Sequence, residues 1–166
     1  MGLRETVGHR PLLQVGASVI AEDAEGRILL QKRADTHDWA YHGGSVELDE
    51  RVEDAARREF FEETGLRAGK LELYGVFSGP EHHVVYPNGD ECSCVDIVYI
   101  TGDYTGTPTP QEGEVEELRY FRYDSLPENL FPATAMVIRK WAEEKRLSLL
   151  AKEERDLPDF GVPTAH

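Results

Sequence analysis

Little in this chain is available for covalent or membrane-based stabilisation. Its two cysteines, Cys92 and Cys94, exclude a disulfide framework. Their C-x-C spacing in a strand-like segment places both side chains on one face, where neighbours seldom pair. A soft-metal half-site would need a second Cys/His pair at ligand spacing, and the sequence has none. Two small strand residues in a reducing compartment is the simpler reading, which makes the cytoplasm the expected location. No apolar run approaches the roughly 20 residues that a membrane-crossing helix needs. The segment Met1 to Arg10 carries basic residues but leads into strand-like sequence and not into a secretory core with a small-residue cleavage site. Cations are also scarce, with 18 Lys and Arg against 32 Asp and Glu, a formal charge of -14. Wrapping a nucleic acid depends on clustered Lys and Arg to neutralise its phosphates, so a large polyanionic partner is not expected. A small phosphorylated ligand stays compatible if metal ions lie between its phosphates and the protein's carboxylates.

What is present is ordinary globular composition, 40% apolar and 30% charged over 166 residues. That length fits one domain burying about two-thirds of its unfolded surface. Leu12 to Ala21 reads as a strand, Glu22 to Gly26 as a turn and Arg27 to Lys32 as a second strand, together a hairpin signal. A loop from Asp35 to Asp49 precedes a helical segment from about Glu50 to Thr64, with Asp49 a candidate N-cap and Gly65 a suitable C′ residue. Lys70 to Phe77, Cys92 to Thr101 and Glu116 to Tyr123 have the β-branched and aromatic content of strands. Ala133 to Lys145 is an amphipathic helix, continuing with a break toward Glu154. The expected architecture is a single α/β domain over residues 1–166 with a mixed sheet, helices packed on it and a peripheral tail from Leu157.

The segment after Asp49 carries the chemistry. At 100° per residue Glu59, Glu62 and Glu63 fall within an arc of about 100° on a helix. The same face continues through Val52, Ala55 and Ala56, small apolar residues of the packed kind, so the acids extend a stripe directed at the interior. Burying carboxylates costs several kcal/mol each unless they are paired or bound to a cation. Arg58 stands four residues before Glu62, but one guanidinium cannot neutralise three carboxylates. A hard divalent ion with oxygen ligands, Mg²⁺ or Mn²⁺, is the natural remainder. On the helix alone a solvated acidic face is the commoner meaning of such a run. The flanking residues shift that balance.

Those residues run Gly44, five residues, Glu50, seven residues, Arg58-Glu59-Phe60, one residue, Glu62-Glu63, one residue, Gly65-Leu66. This resembles the Nudix box in every fixed position, and the wider resemblance covers roughly Pro11 to Arg139. It implies an α/β/α sandwich around a central mixed sheet, with the box forming loop, helix and loop. It implies hydrolysis of a phosphoanhydride bond in a nucleoside diphosphate linked to another moiety. By position, Glu59, Glu62 and Glu63 resemble the family's metal ligands, Arg58 the residue that orients a glutamate, and Glu50 the acid that supports the loop. The backbone carbonyl of Gly43 or Gly44 resembles a further ligand. The general base in such enzymes comes from the box or from a distant loop, where Gln111-Glu112-Gly113-Glu114 stands here; Glu114 is the first candidate and Glu112 the second.

Two departures stand out. His42 takes the place where family members commonly have proline, either contacting substrate phosphate or simply tolerating the turn, and Phe60 fills a position more often aliphatic. Substrate identity depends on loops outside the box. Trp39, Tyr74, His82, His83 and Tyr86 are candidates to stack on a base or touch a ribose or phosphate, or else core and rim residues. The expected substrate is a small nucleotide, either a nucleoside triphosphate or a nucleoside diphosphate sugar such as ADP-ribose. The alternatives are a sensor that keeps the fold without turnover and, more remotely, a prenyl diphosphate isomerase. A homodimer is left open.

Overall fold

A computed structural model describes residues 2–158. In chain order the elements are α1 (Leu3–Val7), β1 (Leu12–Ala21), β2 (Ile28–Arg33), β3 (Trp39–Ala40), β4 (His42–Ser45) and α2 (Val52–Thr64). There follow β5 (Arg67–Ala68), β6 (Glu72–Phe77), a 3₁₀ turn (Pro80–His82), β7 (His83–Val85), β8 (Glu91–Thr101), β9 (Tyr104–Thr105), β10 (Val115–Phe121) and α3 (Pro132–Asp156). The main sheet runs β4-β1-β8-β6, with β7 also on β8, and is mixed because β1 and β8 are parallel while their other partners are antiparallel. A second sheet runs β10-β2-β3.

Layering follows from strand alternation, since consecutive side chains point to opposite faces. Ala17, Val19 and Ala21 of β1, Leu29 of β2 and Tyr99 of β8 pack with Ala55, Ala56 and Phe60 of α2. Ile20, Ile28, Leu30 and Val98 face the other way, onto Val137, Ile138 and Trp141 of α3. Both faces are buried, which is why these strands read as nearly continuous apolar runs. The result is an α/β/α sandwich with two cores. Phe60 is fully buried in the first, a burial that stabilises by about 1.5–3 kcal/mol.

Four expectations need correction. The chain reverses between β1 and β2 on a turn with Asp23 accepting from the Glu25 and Arg27 N–H groups, but the two strands do not form a hairpin ladder. β4 and β8 occupy both edges of β1, so β2 pairs with β10 and β3 and meets β1's end only through the bridge Glu22 to Ile28. The stretch read as a loop contains β3 and β4, whose shortness and glycines hide them from a period-2 pattern. Helix α2 begins at Val52 after Arg51 with no side-chain cap, while Asp49 takes a left-handed turn conformation at φ 61. Gly65 closes the helix in that region at φ 72, as expected. Helix α3 runs unbroken over 25 residues, because no Gly or Pro follows Pro132 before Pro158 and strong helix formers continue past the packed half. Leu157 and Pro158 leave the helix; the rest of the expected tail lies outside the described residues.

Candidate active site

Two glycines let β4 lie close to its neighbours, Gly43 to β1 and Gly44 to the Glu59 carboxyl of α2. Gly43 and Gly44 of β4 pair with Ser18 and Ala17 of β1. A Cβ on Gly43 would fall 2.2 Å from Ser18 Oγ and 2.7 Å from the Ala17 carbonyl oxygen, and one on Gly44 would fall 2.4 Å from the carboxyl carbon of Glu59. The acidic face of α2 therefore lies directly against backbone. The Gly43 N–H donates to Glu63 Oε1 at 2.9 Å. Burial is graded across the three acids: Glu63 is 7% exposed, Glu59 18% and Glu62 44%. Burial pushes the Glu63 carboxyl up to about 8, against the lowering effect of the Gly43 N–H and the Gln31 side chain. Burial also raises Glu59, with Arg58 opposing it.

Arg58 organises the approach. Its guanidinium grips Glu50 through Nε to Oε2 at 2.8 Å and Nη2 to Oε1 at 2.9 Å, a fork-to-fork pair, while Nη1 donates to Glu59 Oε1 at 2.8 Å and Nη2 to the Ser45 carbonyl at 3.1 Å. Glu62 stands 3.6 Å away. Hydrogen bonds from Arg58, with a further one from the Glu47 N–H, hold the Glu50 carboxyl down to about 2. Glu50 in turn receives that Glu47 N–H at 3.1 Å and so ties the turn before the helix to the helix itself.

Beyond the helix the chain folds back, with Thr109 N–H donating to the Thr64 carbonyl at 2.7 Å and Gln111 N–H to the Glu63 carbonyl at 3.3 Å. This return puts Glu114 on the wall of a cleft of about 400 Å³ that also includes Glu59, Glu62, Glu63, Arg33 and Gln31. Glu112 is not on that wall. The carboxylates and the neighbouring backbone are hard oxygen donors, the kind that suits Mg²⁺ or Mn²⁺. Among the described residues no three of His, Cys, Asp or Glu converge closely enough to hold an ion as they stand. Glu59 is turned to Arg58 and Glu63 to the Gly43 N–H, so an ion would have to draw both from their present partners.

A second cavity of about 130 Å³ adjoins the cleft, and Arg33, Gln31, Gly43, Gly44 and Tyr86 line both. Its interior carries Asp96 of β8, whose carboxylate accepts the Ser18 hydroxyl at 2.7 Å and the Tyr41 hydroxyl at 2.7 Å.

The match to known families is with the NUDIX domain, over residues 12–155. The chain belongs to the Nudix family. A MutT-like protein of Streptomyces ambofaciens is 39% identical over 75 residues, covering 45% of this chain and 49% of that protein. An ADP-ribose pyrophosphatase of Methanocaldococcus jannaschii is 34% identical over 112 residues, covering 66% of this chain and 62% of that protein. This Nudix chain thus spans from about half to three-fifths of the length of these relatives. The crystal structure of the MutT NUDIX hydrolase from Burkholderia pseudomallei superposes with a TM-score of 0.66 at 31% identity, covering 77% of this chain and 97% of that one.

Within the Nudix fold the other candidates separate clearly. Trp39 is buried in the second core. Tyr74 caps the α3 side with its hydroxyl on Glu144, and His83 sits outside, paired with Glu91. Of the five aromatic candidates His82 and Tyr86 line the second cavity. His42 is fully buried behind the glycines, its Nδ1 on Gln31 Oε1 and its Nε2 on the Leu29 carbonyl, each at 3.1 Å, and burial lowers its pKa to about 3. A neutral core histidine replaces the usual proline, and phosphate contact is not its role in this geometry. Sequence reasoning missed Asp96, Ser18, Tyr41 and Arg33. The available signal was Asp96 itself, a carboxylate inside the apolar run Cys94-Val95-Asp96-Ile97-Val98.

Proposed function

We propose that this chain is a divalent-metal-dependent hydrolase that cleaves a phosphoanhydride bond in a small nucleotide, acting as one Nudix domain. The observation that carries this reading is the graded set Glu59, Glu62 and Glu63, with Glu59 held by Arg58 and Glu63 by the Gly43 N–H, in a cleft that adjoins a smaller polar cavity. Glu59, Glu62 and Glu63, with the Gly44 carbonyl, would hold the ion, which supplies charge to polarise phosphoryl oxygens and to lower the pKa of a bound water. The remaining work belongs to the chain. Arg58 positions Glu59, and Glu50 fixes Arg58. Arg33, at the boundary between cleft and cavity, is placed to meet phosphate charge between the reacting end and the base. Glu114, which lines the same cleft as the helix acids, accepts the proton of the attacking water.

Substrates are a nucleoside triphosphate or a nucleoside diphosphate sugar; the name of the M. jannaschii relative supports including ADP-ribose. Cys92 and Cys94 are free thiols, in keeping with a reducing cytoplasm, and no helix among the described residues is long and apolar enough to cross a membrane. The test is phosphate or pyrophosphate release from nucleoside triphosphates, nucleoside diphosphate sugars and dinucleoside polyphosphates, with Mg²⁺, with Mn²⁺ and with chelator. Metal-dependent turnover that disappears in Glu63→Gln is expected. Nucleotide binding without turnover on any substrate would replace the hydrolase reading by a sensor.

A further inference from the structure

The cavity behind the cleft is too specifically furnished to be a packing defect. Its rim is aromatic, with Tyr86, Tyr41 and Phe131, and the Arg33 guanidinium lies 4.1 Å over the Phe131 ring. A void of about 150 Å³ takes up a benzene-sized ring, so this one, of about 130 Å³, takes in one edge of a base and leaves the remainder in the cleft with which it shares Gln31, Arg33 and Tyr86. A base entering ring-first therefore leaves its phosphates on the side of Arg33 and the acids.

Two polar side chains await it inside. Asp96 receives one hydroxyl on each carboxylate oxygen, from Ser18 on Oδ1 and Tyr41 on Oδ2. Both are donors, so they hold Asp96 as an acceptor, and each oxygen keeps a lone pair free. Gly16 faces it, and even a methyl group there would approach Oδ1 to 3.3 Å, so the missing side chain keeps the carboxylate open. His82 is the second group. It is 3% exposed, and its ring makes no hydrogen bond among the described residues. Because every fully enclosed side-chain nitrogen or oxygen there has a partner, the imidazole nitrogens must retain surface, and the space His82 lines is this cavity. A nine-tenths buried, unpartnered donor beside a buried acceptor is costly without a ligand to complete it.

We propose that Asp96 and His82 read the edge of the nucleobase and select guanine. This rests on the nucleotide-hydrolase reading and names its base, which sets guanosine nucleotides ahead of ADP-ribose among the substrates proposed above. Guanine alone presents two adjacent N–H donors, N1–H and the 2-amino group, next to a carbonyl. The carboxylate of Asp96 accepts both donors, and the imidazole N–H of His82 donates to O6. Adenine turns the N1 lone pair toward the carboxylate. Cytosine does the same with N3, and uracil offers one N–H flanked by two carbonyls. In each case a buried acceptor meets an acceptor, the mismatch that such sites reject most strongly.

The experiment measures equilibrium binding of GMP and AMP to the full chain, with Asp96→Asn and His82→Gln alongside and thermal melts to establish that each variant is folded. The wild type should bind GMP about ten-fold or more tightly than AMP, since hydrogen bonds to a charged acceptor are the strong kind. Asp96→Asn should reduce that ratio to about two-fold or less, weakening GMP and strengthening AMP because the amide can donate to adenine N1, and His82→Gln should weaken GMP by a smaller factor. Should Asp96→Asn fail to fold, the wild-type ratio and His82→Gln still decide. Equal affinity for the two nucleotides, no binding of either, or a GMP preference that survives in folded Asp96→Asn would overturn the assignment. Hydrolysis of the four nucleoside triphosphates and of guanosine and adenosine diphosphate sugars, run in parallel with Mg²⁺ and with Mn²⁺, separates the two readings: absence of turnover on all of them strikes the hydrolase, whereas turnover without base preference strikes only Asp96 and His82.

Discussion

Glu63 should make the metal-free protein less stable than it would be without that charge. Its carboxyl titrates at an ordinary 4.5 in the unfolded chain and at about 8 in the fold. A group whose folded pKa is raised contributes its stability below the unfolded value and loses it as pH rises through the folded value. At about pH 7.5 the unfolded chain gains roughly three pH units of ionisation free energy that the folded chain does not, about 4 kcal/mol. Glu63→Gln keeps the shape and the acceptor for the Gly43 N–H but cannot ionise. It should therefore exceed the wild type by about 4 kcal/mol at pH 7.5 in chelator, on the order of 10 °C in melting temperature, with the gap closing toward about pH 4.5. The same substitution should abolish turnover, and added Mg²⁺ should narrow the gap by stabilising the wild type more. Urea titrations of both proteins across this pH range provide the measurement. A variant no more stable than the wild type at pH 7.5, or a gap that does not change with pH, would refute the claim that Glu63 is held as a costly buried acid.

Four further outcomes are expected. Glu114→Gln should lower kcat by about 100-fold or more with metal affinity unchanged, and an unaltered rate removes it as the base. Gly43→Ala sets a methyl group 2.7 Å from the Ala17 carbonyl oxygen and 2.8 Å from Ser18 Cα, backbone that cannot swing aside, and should cost about 1–3 kcal/mol of stability together with most activity; urea midpoints and turnover that match the wild type would contradict the close approach. Arg58→Lys loses the two-pronged grip on Glu50, so turnover should fall at least about ten-fold while circular dichroism is unchanged. His42, at about 3 in the fold against about 6.5 when unfolded, must stay neutral as the unfolded chain takes up a proton. Its burial should cost about 2 kcal/mol of stability between pH 7 and pH 5, read as the change in the urea-midpoint difference between wild type and His42→Gln, and a pH-independent difference would show that it is not buried neutral.

The box was legible in sequence because its chemistry is local. Gly44, Glu50, Arg58, Glu59, Glu62 and Glu63 lie in one short stretch of strand end, turn and helix, and 3.6-residue periodicity alone places the three helix acids on one face. Glu114 was legible only as one of two acids in a loop. What distinguishes it from Glu112 is the return of that loop onto the C-terminal end of α2 through Thr109 and Gln111, contacts between distant segments that no local pattern encodes. Helix α3 shows the opposite error, since a break was read where the composition was still fully helical.

By itself, then, the amino-acid order determined the acidic helix and a mixed-sheet α/β domain, which follow from spacing along one element and from strand content, and, through the resemblance of its box, the family and its sandwich. Only the tertiary structure decided that β1 and β2 part into different sheets, that His42 is sealed in the core, and that Ser18, Tyr41, His82 and Asp96 meet in one cavity. Those four come from β1, the segment after β3, the 3₁₀ turn and β8. Their meeting depends on the parallel register that sets Ser18 beside Val98, near Asp96, and on the turn that folds His82 over them. Such pairings join residues tens of positions apart, so a binding cavity is a property of the packed fold, while a helix face is a property of its sequence.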